Sequence, residues 1–191
     1  MTASTLVLAS ASPRRLALLA QIGIVPDRVI STDIDESVLP DELPRWYAQR
    51  LARAKAAAVD AREAYVLAAD TVVAMGRRIL PKTESEEEVR RCLMLLSGRR
   101  HRVLTSVALR TPDGRLGERL VQSVVGFPRL TERQIVAYLA SEEWRGKAGG
   151  YAIQGRAATF VRFLSGSYSN VVGLPLFETA QLLRGLGWPL P

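Results

Sequence analysis

The sequence predicts a layered α/β domain with a mixed sheet, and three observations predict it. Strand-like apolar runs and amphipathic helical runs share the chain without a strict alternation, a pattern that fits helices packed on a mixed sheet. Pro112-Asp113-Gly114, a strong turn signal, sits between two strand-like runs. The chain has 191 residues, 48% of them hydrophobic, enough for one domain to bury a substantial core. A single domain over 1–191 is therefore expected, without internal repeat, linker or low-complexity segment.

Residues 5–9 read as a buried strand, followed by a turn at 10–12 and an amphipathic helix from Pro13 to about residue 22, which Gly23 stops. A strand near 29–31 leads into an acidic loop at 33–36. A long Ala/Arg-rich helix is expected from Pro44 to about residue 61, and 66–74 returns as strand. Ser85 and Glu88 form a capping box for a helix running to about residue 97. Strands at roughly 103–110 and 120–127 flank the Pro-Asp-Gly turn. Thr131 and Gln134 cap a helix to about residue 140, a Gly-rich loop spans 146–155, residues 158–164 read as strand, and Pro175 opens the last helix.

Composition narrows the function. Twenty-six basic against nineteen acidic residues give +7, which favours polyanionic partners: nucleic acid, acidic membranes or phosphorylated small molecules. No apolar run approaches a membrane span, since the stretch at 65–75 is short and broken by Asp70, and no positive segment precedes an apolar one at the start, so a cytoplasmic protein is expected. With Cys92 and His101 the only residues of their kinds, a disulfide framework and every multi-Cys/His zinc arrangement within one chain are excluded. Cys92 falls beside Leu93 and Leu96 and reads as a small core residue; His101, without a nucleophile-elbow motif, reads as structural. The basic residues divide into twenty-three Arg and three Lys: Lys55, Lys82 and Lys147. In so arginine-rich a chain, either the lysines mark sites that need a compact three-donor ammonium, or they survive by chance.

Ser10-Ala11-Ser12-Pro13-Arg14-Arg15 joins a strand to a helix, with Ser12 as N-cap and Pro13 at the first helical position. Arg14 and Arg15 then stand in the first turn, where a cation opposes the helix dipole unless a negative ligand is bound; a phosphate site is favoured over two solvated arginines. Asp70 interrupts an apolar run that otherwise reads as a strand buried on both faces, so it must be paired, bound to metal, or placed at a strand end facing a cleft. Lys55 shares a helix face with Tyr47, Leu51 and Val59, and from the helix alone it either snorkels outward or points into a site. Residues 150–156 approach a Walker spacing but lack its Lys-Ser/Thr ending, and no G-x-G-x-x-G is present. The arginine pairs at 77–78, 90–91 and 99–100 lack interleaved aromatics and read as solvated surface.

In order along the chain stand Leu8-Ala9-Ser10-Ala11-Ser12-Pro13-Arg14-Arg15, Asp33-Ile34-Asp35-Glu36, Ala69-Asp70-Thr71-Val72-Val73, Ser97-Gly98-Arg99-Arg100-His101-Arg102-Val103, Lys147-Ala148-Gly149-Gly150-Tyr151-Ala152-Ile153-Gln154-Gly155 and Ser169-Asn170-Val171-Val172-Gly173-Leu174-Pro175-Leu176. Together they resemble the Maf family from Leu6 to about Leu183. The resemblance implies an inosine-triphosphatase-like fold of the Maf/Ham1 type, commonly dimeric, whose cleft holds a nucleoside triphosphate and a divalent cation, Mg²⁺ or Mn²⁺. By position it implies Asp70 as proton acceptor and Glu36, Lys55 and Lys82 as the other charged catalytic residues. Arg14, Thr71 and Gln154 match the positions that sort substrate subgroups, with Ser10, Ser12 and Arg15 beside them at the phosphates. Where the family often carries Gly before and Pro after the loop lysine, this chain reads Pro81-Lys82-Thr83, so the path around Lys82 does not follow from the resemblance. Family members were first discussed as inhibitors of septum formation, which implies a link to cell division.

The function that the resemblance implies is hydrolysis of dTTP and UTP, or modified pyrimidine nucleotides, to the monophosphate and pyrophosphate. Glu36 and Asp70 would hold the cation, and the neutral amide of Gln154 can donate to O4 of uracil or thymine while accepting from N3–H. The sister subgroup that reads methylated guanine tends to carry Glu at this position and an aromatic in place of Arg14. Two alternatives stand beside this reading: a basic nucleic-acid-binding module, and a non-catalytic septum-formation regulator with a vestigial pocket. The first gives Glu36 and Asp70 no reason to sit in an anion site, where they repel phosphate unless a metal intervenes. The second should have lost some of the charged residues, and none is missing.

Overall fold

A computed structural model describes residues 5–61 and 63–189; the reading of the first residues and the outermost ends of the expected domain lie outside this range. In chain order the elements are β1 (Thr5–Ala9), α1 (Pro13–Gln21), β2 (Arg28–Ile30), α2 (Pro44–Ala58), β3 (Ala64–Met75), β4 (Arg78–Leu80), β5 (Lys82–Thr83), α3 (Glu86–Leu96), β6 (Arg100–Arg110), β7 (Leu116–Gly126), α4 (Glu132–Leu139), β8 (Lys147–Ala148), a 3₁₀ helix (Arg156–Phe160), β9 (Phe163–Ser165), α5 (Tyr168–Val172) and α6 (Leu176–Gly185). The main sheet runs β2-β1-β3-β6-β7-β9, with β4 paired to β3; β5 and β8 form a separate two-stranded ribbon. β1 is parallel to β2 and β3, and the remaining pairings are antiparallel, so the sheet is mixed as expected.

Helices cover both faces. Leu18 and Leu19 of α1, Leu93 and Leu96 of α3, Ile135 of α4 and Leu182 of α6 pack with Leu67 and Val107 in the larger core. On the other face α2 lies against the sheet through Ala52 and Ala56, which meet Val7, Ala9, Val66, Ala68 and Ala108, and through Ala48 against Val72 and Leu104. Small side chains on both partners let this helix sit low on the strands, a close approach that longer side chains would prevent.

This topology creates the cleft. From β1 the chain passes through α1 on one face to β2, then returns through α2 on the other face to β3, so β1 lies at a switch point where the connections diverge; open α/β sheets bind ligands beside such a point. The same edge of β3 is paired with β1 over residues 64–68 and with β4 over 73–75. Between them, residues 69–72 have no strand on that side among the described residues, and Asp70 sits in this gap.

Several boundaries differ from expectation: β3, β6 and β7 each begin two to four residues earlier than their apolar runs, and there are two further differences. Residues 158–164 are not one strand: the first part is the 3₁₀ helix and only Phe163–Ser165 pairs, with β7. Ala157 and Phe160 are buried three residues apart, a period that suits a tight helix and that a single apolar run does not distinguish from a strand. α2 ends at Ala58 rather than near residue 61, with Val59 in extended geometry.

Candidate active site

The cleft has a volume of about 380 Å³ and is lined from four directions: the β1–α1 turn, the loop carrying Glu36, the centre of β3, and the segment from Arg145 to Gln154. Side chains alternate between sheet faces along a strand. Asp70 therefore projects towards α2, whereas Thr71 projects to the opposite face, towards Arg15 and Gly173.

Lys55 points into the site. It is 7% exposed, and its Nζ lies 2.6 Å from Asp70 Oδ1 and 2.7 Å from Glu36 Oε1. The low seating of α2 brings a four-carbon stem within reach of β3. Asp70, only 3% exposed, is thus paired as a buried carboxylate requires, and no hydrogen bond among the described residues uses its Oδ2. Glu36 also receives the ammonium of Lys82. Burial pushes the Glu36 carboxyl pKa up, but the hydrogen bonds from Lys55 and Lys82 outweigh it and hold the group below its ordinary value.

Lys82 owes its place to a ribbon that the sequence did not announce. Lys82 pairs with Ala148 and Thr83 with Lys147, while Gly149 N–H donates to Pro81 O at 2.9 Å. Gly149 and Gly150 have φ of 66° and 73°, and a Cβ on Gly150 would fall 2.6 Å from Val89 Cγ2, so this crossing needs glycine. The ribbon brings Lys147 to the same cleft. All three lysines of the chain line it.

The β1–α1 turn meets expectation in placement and departs from it in detail. Ser12 is the N-cap residue of α1 but its side chain makes no capping hydrogen bond; instead its N–H donates to Ser10 Oγ at 3.2 Å. Arg15 is buried and already engaged, donating to Gly173 O at 2.8 Å, Ser10 Oγ at 3.0 Å and Thr71 Oγ1 at 3.2 Å. Arg14 is half-buried, with no ion pair among the described residues, and burial lowers its pKa. Across the cleft Lys147 is lowered by burial and by Arg14 itself. Two cations facing one open space suit an anionic ligand. Gln154 is exposed at the far end of the cleft, and no hydrogen bond among the described residues occupies its amide.

Sequence reasoning missed Tyr47 and the carbonyl of Gly173. Tyr47 OH donates to Glu36 O at 2.8 Å, and burial pushes its pKa up to about 12, so it stays a donor. Its position two helical turns before Lys55 on one face was the available signal. Arg50, on the same helix, donates to Ser37 O at 2.8 Å and pairs with Glu42, fastening the loop that carries Glu36. Cys92 and His101 stay out of the cleft, as expected of core residues. His101 Nε2 lies 2.8 Å from Tyr151 OH, while its Nδ1 is buried without a partner.

Mg²⁺ and Mn²⁺ take oxygen ligands and are commonly held by one or two carboxylates completed by substrate phosphates and water. Glu36 and Asp70, brought together by Lys55, fit that donor set. Among the described residues no group of three or more His, Cys, Asp or Glu could hold a metal without such help.

The family model described as Maf-like protein matches residues 5–186. The chain is 65% identical to the dTTP/UTP pyrophosphatase of Rhodospirillum rubrum, with 96% of this chain and 88% of that protein covered. It is 61% identical to the dTTP/UTP pyrophosphatase of Granulibacter bethesdensis, covering 98% and 95%, and 62% identical to that of Caulobacter vibrioides, covering 96% of each. Among solved structures, the Ham1 proteins of Staphylococcus aureus and Coxiella burnetii each share 18% identity at a TM-score of 0.45, covering 65% and 66% of this chain and 72% and 74% of theirs.

Proposed function

This chain belongs to the Maf family, and from that premise we propose that its cleft hydrolyses dTTP and UTP to the nucleoside monophosphate and pyrophosphate. The observation that carries the reading is the meeting of all three lysines with Glu36 and Asp70 in one pocket whose other charged lining residues are Arg14, Arg15 and Arg145. Six cations suit a triphosphate, and a nucleic-acid groove has no use for the two carboxylates.

A divalent cation held by Glu36 and Asp70 against the phosphates would neutralise charge on the phosphoryl oxygens. Asp70, with one oxygen held by Lys55, offers Oδ2 to a water and takes its proton as that water attacks the α-phosphorus. The bond between the α-phosphorus and its bridging oxygen breaks, and pyrophosphate leaves. Lys82, Lys147 and Arg14, which line the cleft, would stabilise the charge on the departing pyrophosphate, as preorganised cations do without reorganising. Tyr47 and Arg50 keep Glu36 in place. Gln154, free and polar, reads the base edge, donating to O4 and accepting from N3–H.

A homodimer acting in the cytoplasm belongs to the same reading; no helix among the described residues is long and apolar enough to cross a membrane. Hydrolysis of UTP in ¹⁸O-water, with Mg²⁺ or Mn²⁺ present, tests the chemistry. The label should appear in the monophosphate. Label in pyrophosphate, or release of single phosphates, would contradict attack at the α-phosphorus.

A further inference from the structure

Gln154 occupies a short turn: Gly155 N–H donates to Ala152 O at 3.0 Å, with Ile153 and Gln154 between them. Ile153 is buried in the larger core, so the turn has an inward plug and an outward reader. What fixes the turn laterally comes from one other element. Ala152 N–H, on the near side, donates to Tyr138 OH at 3.2 Å; Arg156 N–H, on the far side, donates to Glu143 Oε2 at 2.6 Å. Tyr138 is in α4 and Glu143 in the turn that follows it.

That turn is built to hold its carboxylate there. Glu142 adopts φ of 55°, a left-handed conformation that costs a non-glycine residue free energy and persists only where surrounding structure enforces it. Glu143 N–H then donates to Ser141 Oγ at 3.4 Å, and Ser141 Oγ donates to Tyr138 O at 2.7 Å. Trp144, fully buried, anchors the other side by donating from Nε1 to Leu139 O at 2.9 Å. On the receiving side, a Cβ at Gly155 would lie 2.0 Å from Glu143 Oε2. The carboxylate occupies the space that any larger residue at 155 would need.

We infer that the end of α4 is a two-point clamp on the base-reading turn, with Tyr138 and Glu143 as positioning residues that set how far a base enters and hence the preference for a pyrimidine. The inference rests on the pyrophosphatase reading of the cleft. Neither residue lines the cleft or carries catalytic charge. A merely structural role would lower turnover of every nucleotide alike; a positioning role loosens selection.

The test compares kcat and KM for UTP and GTP in the wild type, Tyr138→Phe, Glu143→Ala and Glu143→Gln, with amide exchange followed in the same proteins. Loss of either clamp should reduce the UTP-to-GTP ratio of kcat/KM by roughly tenfold, the scale of an imperfectly filled pocket. The change should lie in KM for UTP, with its kcat within about twofold of wild type. Glu143→Gln, which keeps an acceptor, should restore the ratio, and faster exchange should be confined to the turn. An unchanged ratio, or an equal fall in kcat for both nucleotides, would overturn the inference. If the wild type hydrolysed no nucleotide, the pyrophosphatase reading would fall on its own, and exchange would still judge the clamp: unchanged protection at Ala152 and Arg156 in the variants would overturn it.

Discussion

Lys55 and Asp70 determine each other. A buried carboxylate without a cation is strongly disfavoured, so removing Lys55 leaves Asp70 with an unpaired burial cost, whereas removing the Asp70 charge leaves Lys55 its second carboxylate, Glu36. Asp70→Asn keeps the shape but removes the proposed base, and turnover should fall by ~10²-fold or more while the protein stays folded. Near-normal turnover in a folded variant would remove Asp70 from the mechanism. Lys55→Arg and Lys82→Arg keep the charge yet replace a compact point cation with a planar fork, and each should impair catalysis. Full activity in both would make the lysine pattern coincidence. Asp70 was legible because a carboxylate stands out in an apolar run. Lys55 was ambiguous until the helix was docked, since an amphipathic stripe does not say how low the helix sits. The shared helix face of Tyr47 and Lys55 signalled that Tyr47 lies near the site, but not its role as a loop anchor, because its partner is a backbone carbonyl, which no side-chain pattern encodes.

At the scale of elements, α2 is the part on which the site most depends. Ala52 is fully buried between the helix and β1, and Ala52→Leu would overpack that interface, costing about 1–3 kcal/mol and lifting Lys55 from Asp70. Both the unfolding free energy and turnover should fall together, as measured by urea unfolding and pyrophosphate release. Loss of stability with full turnover would show that the seating of α2 does not control the ion pair. Helix starts were well marked: the boxes at Ser85/Glu88 and Thr131/Gln134 are both present, because capping is a local interaction that sequence spacing fixes. The strands β4, β5 and β8 were not marked. Each has two or three residues, and β5 and β8 exist through pairing with each other across distant sequence, so no local period announces them.

Across the whole molecule, stability and charge are organised around separate centres. His101 lies among Phe127 and Tyr151, and burial lowers its pKa from 6.5 to about 4. Between those values the unfolded chain binds a proton that the folded chain excludes. The contribution is therefore fully present above pH 6.5 and is lost as pH falls towards about 4, by at most about 3 kcal/mol. His101→Asn should show a smaller stability loss than wild type between pH 7.5 and 4.5 in urea unfolding; equal losses would contradict the assignment. The mixed main sheet was legible from the order of runs and the Pro-Asp-Gly turn. The switch point at β1 was not, because strand order depends on which distant edges pair. The cleft at that point is where the chain's lysines, its paired carboxylates and Gln154 converge, and selective hydrolysis of pyrimidine nucleoside triphosphates is the function proposed for it. The most direct measurement is kcat/KM for dTTP, UTP and 7-methylguanosine triphosphate in the wild type and in Gln154→Glu. A preference for dTTP and UTP of roughly 10²-fold, eroded in the variant, is the predicted result, because a carboxylate can only accept and would face O4 with repulsion. Preference of the wild type for 7-methylguanosine triphosphate would contradict the base assignment, and no release of pyrophosphate from any of the three would contradict the account of the cleft.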